Sequence, residues 1–321
     1  MTRPAQSAPN VESPTVVQRW LRGELKRLRK EAGFTQDAVA RELRREGRWS
    51  KAKVGHLETG HVLPHREDLQ QLLPVYGVRG TRLEWYLELC DRARDHGWWD
   101  NAPGVPSWFG LYLGLEWGAT VMVSYDLGFI PGLLQTRRYV EAVIRDGETD
   151  EDEVANQVNQ RMRRQEALSR PRPLKLHAII DEAALYRVVG DVDVMREQIE
   201  HLIALTGQQE PRDTNLDDDE PFQVFTLQIL PFSAGAHRGQ LGSFSWMGFD
   251  DSPHPIRDAL DPAKNDPGVG YVENQAGGQY IDEPQPIARY LDTFRLLSGR
   301  ALSPARSVGH LRTLLTKDMS E

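Results

Sequence analysis

The fold of the N-terminal part is decided by two stretches, LKRLRKEAGFTQ at residues 25–36 and SKAKVGHLETG at residues 50–60. Gly33 is placed to end a first helix, because glycine readily adopts the left-handed backbone conformation found at helix ends. Thr35 and Ser50 are suited to cap a second and a third helix, since their hydroxyls can accept a hydrogen bond from a backbone amide of the first turn. Gly60 then ends the third helix. The two stretches therefore predict three consecutive short helices.

Apolar residues on either side of these stretches recur at helical spacing. Val16 and Trp20 extend the first helix back to Thr15, with basic residues on its other face. Further apolar residues predict a fourth helix near residues 69–76 and a fifth near residues 83–90. Five short helices leave no room for a sheet, so we expect an all-α domain at residues 15–94.

The order of the capping residues resembles the lambda-repressor-like (Xre-like) helix-turn-helix family. In that pattern a Thr-Gln pair opens the second helix, a serine begins the recognition helix, and a Glu-x-Gly closes the unit. Thr35 with Gln36, Ser50, and residues 58–60 supply these features in that order. The resemblance implies a transcriptional regulator that binds duplex DNA.

The resemblance further implies an ion pair between Arg29 and Glu58, which would tie the first helix to the end of the recognition helix. The sequence departs from the family at residues 44–49, where the turn before the recognition helix is longer than usual. This departure affects the crossing angle and the register of the recognition helix.

We expect one side of the recognition helix to enter the major groove, because Val54 and Leu57 face the core. Lys51 could donate to a guanine edge and His56 to an acceptor edge, while Ala52 could touch a thymine methyl. Other residues are predicted to contact phosphates or to lie at the edge of this side. The whole set of predicted DNA-contacting residues is Thr35, Gln36, Arg48, Ser50, Lys51, Ala52, Lys53 and His56.

The net charge of −8 is unevenly distributed along the chain. Residues 15–94 contain 17 Lys or Arg against 11 Asp or Glu, whereas residues 95–321 contain 21 against 35. The basic part would be attracted to phosphates and the acidic part repelled by them. We therefore expect the two parts to have different partners.

Composition limits the remaining possibilities. No apolar run approaches the ~18 residues of a membrane helix, and no apolar segment follows the N-terminal charge, so we expect a cytoplasmic protein without a signal peptide. The single cysteine, Cys90, excludes an internal disulfide and a cysteine-based zinc site. We expect no cofactor and no metal. The proline-containing residues 1–14 predict a disordered arm, and residues 95–110 predict a linker.

The C-terminal part, residues 111–321, is predicted to be an α+β domain because strands follow helices without a regular alternation. We expect helices at 111–123, 136–146, 151–169, 181–188, 191–206, 285–298 and 304–316, and strands at 174–180, 222–230, 242–249 and 270–274.

Short strings in this part resemble a C-terminal domain of uncertain function that follows such helix-turn-helix units in actinobacterial regulators, some described as antitoxin-like. They are PGLLQT at 131–136, RMRRQ at 161–165, DEAAL at 181–185, ILPF at 229–232 and YVE at 271–273. The resemblance implies that the domain binds a small partner protein encoded nearby, or mediates dimerisation. A homodimer would place two recognition helices about 34–36 Å apart.

The sequence also bears on two other classes of function, a small-molecule sensor and an enzyme. Trp98, Trp99, Trp108 and Trp117 could line a pocket of a small-molecule sensor, or they could form a core seam. An enzyme is not expected, because acids such as Asp181 and Glu182 at a strand-to-helix junction are typical of helix caps. The histidines are scattered, and no phosphate-binding or nucleophile motif is present.

Overall fold

The computed structural model describes residues 13–45, 49–100, 102–103, 105–207, 223–250, 252–261 and 266–316. The chain divides into two compact units, Met1–Asp100 and Asn101–Glu321. We call them the N-terminal and the C-terminal unit.

The described part of the N-terminal unit is built from α-helices. They are α1 Pro14–Glu31, α2 Gln36–Glu42, α3 Lys51–Thr59, α4 Arg66–Val75 and α5 Thr81–Arg92. Ser13 caps α1 by accepting a hydrogen bond from the Val16 amide, and Pro14 begins that helix, where its missing N–H costs nothing. The predicted arm at residues 1–14 therefore gives way to helix at Pro14, and its first twelve residues lie outside the described residues.

One apolar core holds these helices together. Leu21, Leu25 and Leu28 of α1 pack with Val54 and Leu57 of α3, and leucines of α4 and α5 complete the cluster. Each helix contributes residues three or four positions apart, which is the spacing of one helical face. This core fixes the outward direction of the remaining residues of α3.

The C-terminal unit contains a mixed six-stranded sheet. Its strands are β1 Val121–Asp126, β2 Lys175–Asp181, β3 Phe225–Leu230, β4 Phe244–Gly248, β5 Val269–Asn274 and β6 Gly277–Ile281, in the spatial order β3-β2-β1-β4-β5-β6. Strands β1, β2 and β3 are parallel, whereas β4 pairs antiparallel with β1, as do β5 with β4 and β6 with β5. Strand β1 therefore lies at the junction of a parallel and an antiparallel half.

The helices of this unit are α6 Ser107–Gly118, α7 Arg137–Arg145, α8 Glu151–Arg164, α9 Ala183–Tyr186, α10 Val192–Thr206, α11 Pro255–Leu260, α12 Pro284–Arg300 and α13 Pro304–Thr316. Helix α12 packs its apolar residues Ile287, Leu291 and Phe294 with Val123 and Tyr125 of β1. Because successive side chains of a strand point to opposite faces, the other face of β1 carries Met122, Ser124 and Asp126.

The predicted fold class, an all-α helix-turn-helix part of five helices followed by an α+β part, is confirmed over the described residues. One prediction within it is wrong. The helix expected at 111–123 ends at Gly118, and Val121–Asp126 forms the central strand β1. Strand β6 and helix α11 lie outside the predicted elements, and β6 begins with two glycines, a residue type that is depleted in strands.

Candidate functional site

The outward side of α3 carries the residues predicted to contact DNA. Ser50 caps the helix by accepting a hydrogen bond from the Lys53 amide at 3.1 Å, and Gly60 ends it with φ of 80°. Lys51, Ala52 and His56 are exposed, while Val54 and Leu57 are buried. The structure therefore brings Lys51, Ala52 and His56 together on one solvent-facing surface. Arg48 lies outside the described residues.

Arg29 and Glu58 form a buried two-point ion pair. Arg29 Nε lies 2.6 Å from Glu58 Oε1, and Arg29 Nη2 lies 2.9 Å from Glu58 Oε2. A third guanidinium nitrogen donates to the Phe34 carbonyl at 2.8 Å. Two parallel hydrogen bonds between planar groups fix direction as well as distance, so the pair joins α1 and the turn before α2 to the end of α3.

Gln36 belongs to the same network. Its side-chain amide donates to Glu58 Oε2 at 3.0 Å, and it lies against Gly55, where an added Cβ would come 3.6 Å from Gln36 Oε1. Thr35 caps α2 by accepting from the Ala38 amide at 3.2 Å. Sequence reasoning placed Gln36 toward a phosphate, whereas in the structure its amide nitrogen helps to position α3.

Lys53 is likewise engaged within the unit. Its Nζ lies 2.6 Å from Asp68 Oδ1 of α4 and 4.4 Å from the centre of the Trp49 ring. Trp49 itself is buried and donates from Nε1 to Gln71 Oε1 at 2.7 Å. These contacts hold the start of α3 in place after the long turn. The sequence did not predict them.

The C-terminal unit contains a cavity of about 590 Å³ against the face of β1 that carries Met122, Ser124 and Asp126. We call it the sheet cavity. Its floor includes the residues paired with this face in neighbouring strands, Leu176 of β2, Ser245 of β4 and Tyr271 of β5. Its walls come from α6, α8 and residues 129–135. Trp98, Trp99, Trp108 and Trp117 are not among its described lining residues.

Three polar groups on the floor are buried and have no hydrogen-bond partner among the described residues. They are the Ser124 and Ser245 hydroxyls and Asp126 Oδ2. Ser124 is 3% exposed and Ser245 is 7% exposed, and the two residues stand opposite one another in the β1–β4 pairing. Buried polar groups normally find partners, so such a group in a cavity marks a place where a ligand or a water can supply one.

The carboxyl of Asp126 is the most perturbed acid of the cavity. Burial raises its pKa from 3.8 to about 7, and the nearby Ser124 hydroxyl offsets only part of that shift. The Ser124 hydroxyl nevertheless lacks the geometry of a hydrogen bond to Asp126 Oδ2. Desolvation disfavours the charged form of an acid, so Asp126 titrates near neutral pH.

One wall of the cavity is held by a buried ion pair. Arg164 of α8 donates from Nε and Nη2 to the two carboxylate oxygens of Glu116 of α6, both at 2.8 Å. The guanidinium also lies 5.3 Å from the ring centres of Phe109 and Tyr112. Gly132 lies close beside it, and an added Cβ there would lie 3.3 Å from Arg164 Nη1, so the guanidinium would have to shift by a few tenths of an ångström.

Arg161 lines the same wall one helical turn earlier. Its Nη1 donates to Gln135 Oε1 at 3.1 Å, and Gln135 in turn donates to the Ile130 carbonyl at 2.7 Å. Burial and the adjacent Arg164 charge lower the pKa of Arg161 to about 10, while Glu273 opposes the shift. Arg161 therefore stays protonated at neutral pH.

Three of the five strings singled out in the sequence meet at this cavity. Residues 131–135, 161–164 and 271–273 all contribute lining side chains. Sequence reasoning missed the floor, since Ser124 and Asp126 follow a stretch predicted as helix. The alternation of apolar and polar residues in VSYD, at residues 123–126, was the available signal.

The two remaining strings meet elsewhere in the unit. The Glu182 carboxylate accepts from the Phe232 amide at 2.6 Å, and Asp181 accepts from the Ala183 amide at 3.0 Å. These are cap-like contacts with backbone amides. Among the described residues, no group of three or more His, Cys, Asp or Glu side chains is placed to hold a metal ion. Nor is any described helix long and apolar enough to cross a bilayer.

Comparison with known protein families matches both parts of the chain. Residues 20–85 match a helix-turn-helix domain, which confirms the predicted helix-turn-helix; its lambda-repressor-like subtype stays a prediction. No curated protein and no solved structure matches the chain. Residues 109–212 and 220–313 match a domain of unknown function, DUF5753. Since that match covers more than half of the sequence, the chain belongs to the DUF5753 family.

Proposed function

We propose that this protein is a sequence-specific transcriptional regulator whose C-terminal unit senses a small molecule. The DNA-reading half of the proposal rests on the exposed group Lys51, Ala52 and His56 on a helix that is capped at both ends and held by the Arg29–Glu58 pair. A rigid helix with small and hydrogen-bonding residues on its open side suits base recognition in the major groove.

Selection from a pool of random-sequence duplexes, using the full chain, tests this half. Enrichment of one sequence motif is the expected result. Lys51→Ala should lower affinity for the enriched duplex more than affinity for random DNA, because Lys51 is assigned to a base. Lys30→Ala removes the same charge from α1 and should lower both affinities by the same factor. If Lys51→Ala also lowered the affinities for the enriched duplex and for random DNA by the same factor, base reading by Lys51 would be contradicted.

The sensing half rests on the sheet cavity. Its volume of about 590 Å³ lies within the range of small-molecule sites, which is roughly 300–1,000 Å³. Unpartnered hydroxyls on its floor and aromatic rings in its walls are the combination that binds polar organic molecules. Asp181 and Glu182, the acids considered for catalysis, bind backbone amides, and we propose binding without catalysis for this unit.

A screen of small metabolites by thermal unfolding of the full chain tests the sensing half. A compound that raises the unfolding midpoint and also changes the affinity for the enriched duplex is the expected finding, since a ligand shifts a conformational equilibrium only by binding one state better. Compounds that bind without any effect on DNA affinity would contradict sensing. Binding of a small protein partner and pairing of two copies stay predictions from the family resemblance.

A further inference from the structure

The charges that line the sheet cavity do not balance. Of the side chains that the structure describes, five charged ones line it, namely the acids Glu116, Asp126 and Glu273 and the bases Arg161 and Arg164. Arg164 is paired with Glu116 at 2.8 Å, and Arg161 is stabilised by the charge of Glu273. Among the described residues Asp126 has no cation as a partner. The cavity therefore holds one unmatched acid.

The groups around that acid can all accept hydrogen bonds. Asp126 Oδ2 and the hydroxyl oxygens of Ser124 and Ser245 are buried, and no described residue forms a hydrogen bond with them. Ser124 lies two residues before Asp126 on the same face of β1, and Ser245 of β4 is the cross-strand neighbour of Ser124. An ammonium group carries three donors and no acceptor, so it could satisfy these three oxygens together and supply the missing positive charge.

The walls next to this floor are aromatic. Tyr112 and Tyr271 have ring centres 4.4 Å apart, and Phe109 stacks on Tyr112 at 5.1 Å. Phe129 and Phe244 also line the cavity. Flat rings provide apolar contact for a planar molecule, and their faces attract cations.

We propose that the sheet cavity binds a small aromatic amine. Its protonated nitrogen is held by Asp126, Ser124 and Ser245, and its ring lies against Tyr112 and Tyr271. This inference rests on the proposed sensing function and names the chemical class of the ligand.

An anionic ligand is the main alternative, because two arginines line the cavity. Two guanidinium nitrogens of Arg164, Nε and Nη2, already donate hydrogen bonds to Glu116 at 2.8 Å. Arg161 already donates a hydrogen bond to Gln135. A carboxylate would also face the unmatched Asp126. The contacts therefore favour a cation over an anion.

Matched probe pairs distinguish the two ligand classes. Tryptamine and indole-3-propionate share a ring and a side chain and differ in the charge of the terminal group, as do phenethylamine and 3-phenylpropionate. Calorimetry and thermal unfolding of the full chain should show binding of the amines and little or none of the carboxylates. Asp126→Asn should weaken amine binding about 10- to 100-fold, the value of a hydrogen bond to a charged group.

Two further sets of variants keep the test independent of folding. Ser124→Ala and Ser245→Ala should each weaken amine binding several-fold while leaving the protein folded. Asp146→Asn makes the same chemical change as Asp126→Asn at an exposed position and should leave amine binding unchanged.

Several outcomes would overturn the proposal. If the carboxylates bound, and their binding were lost in Arg161→Gln but kept in Asp126→Asn, the ligand would be an anion and not an amine. The proposed sensing function would be unaffected by that result. Amine binding that is equal in Asp126→Asn and the parent chain would remove Asp126 from the site. Failure of all amine probes to bind at millimolar concentration would refute the ligand class, whereas failure of the metabolite screen would refute sensing itself.

Discussion

Ser124 and Ser245 face one another across the antiparallel pairing of β1 and β4, and within the described part of the chain neither hydroxyl has a hydrogen-bond partner. Both are more than nine-tenths buried. Strands of this sheet are otherwise rich in apolar residues, so two hydroxyls on its central strands lower stability unless something binds them.

Removing both hydroxyls should therefore leave the free energy of unfolding unchanged or raise it. We expect this for the double variant Ser124→Ala, Ser245→Ala, measured by urea unfolding without ligand. Ser298→Ala is the matched control, because Ser298 is 1% exposed and donates to Gln228 at 2.7 Å. That control should lose about 1–3 kcal/mol. A comparable loss in the double variant would mean that the floor hydroxyls already have partners.

Asp126→Asn should stabilise the ligand-free protein in a pH-dependent way. The folded-state pKa of about 7 lies above the ordinary 3.8, so the folded protein holds this proton more tightly than the unfolded chain. Stability is then lost as pH rises from 3.8 to about 7 and is constant above. Asparagine does not titrate, so the gain in melting temperature over the parent should be larger at pH 8 than at pH 5.

Asp146→Asn serves as the reference for this measurement, since Asp146 is exposed. Its melting temperature relative to the parent should be similar at both pH values. If the gain from Asp126→Asn were also the same at pH 5 and pH 8, Asp126 would not titrate near neutrality.

Lys53→Met should affect stability and leave the selectivity for DNA sequence unchanged. Lys53 Nζ is engaged with Asp68 at 2.6 Å and with the Trp49 ring at 4.4 Å. Loss of this partly exposed pair should cost about 1 kcal/mol or less. The ratio of specific to random DNA affinity should equal that of the parent, whereas Lys51→Met lowers it. A reduced ratio for Lys53→Met would assign Lys53 to a base.

Glu58→Ala should destabilise the N-terminal unit by about 3–5 kcal/mol, because it leaves the buried Arg29 charge without its counter-ion. Gln36 would lose its acceptor as well. Denaturant unfolding followed by tryptophan fluorescence measures the change. Glu88→Ala removes a carboxylate from the exposed side of α5, and its effect should stay within about 0.5 kcal/mol. Similar midpoints for the two variants would show that the ion pair contributes little.

The N-terminal helices could be predicted because their limits depend on local chemistry. Thr35 and Ser50 accept hydrogen bonds from amides three residues ahead, and Gly60 adopts its left-handed conformation within the same segment. Such contacts are visible as short-range patterns in the sequence. The Arg29–Glu58 pair spans 29 residues and came from family resemblance alone.

Strand β1 could not be predicted in the same way. Residues 111–123 are almost continuously apolar, which suits a buried helix as well as a buried strand. Residues 121–126 form a strand because they pair with β2 and β4. Ser124, for example, pairs with Ala178 of β2 and with Ser245 of β4. Strand formation depends on such distant neighbours, and the sheet cavity, assembled from residues 109–275, depends on all of them.

Helix α6 has a consequence for building chimaeric regulators. It is the first helix after the helix-turn-helix unit along the chain, and it supplies Tyr112 and Glu116 to the wall of the sheet cavity. A fusion joint placed between Asp100 and Asn101 would carry the whole C-terminal unit, including this wall of the sheet cavity, to another DNA-binding domain. A joint placed after Gly118 would discard that wall and leave Arg164 without its carboxylate.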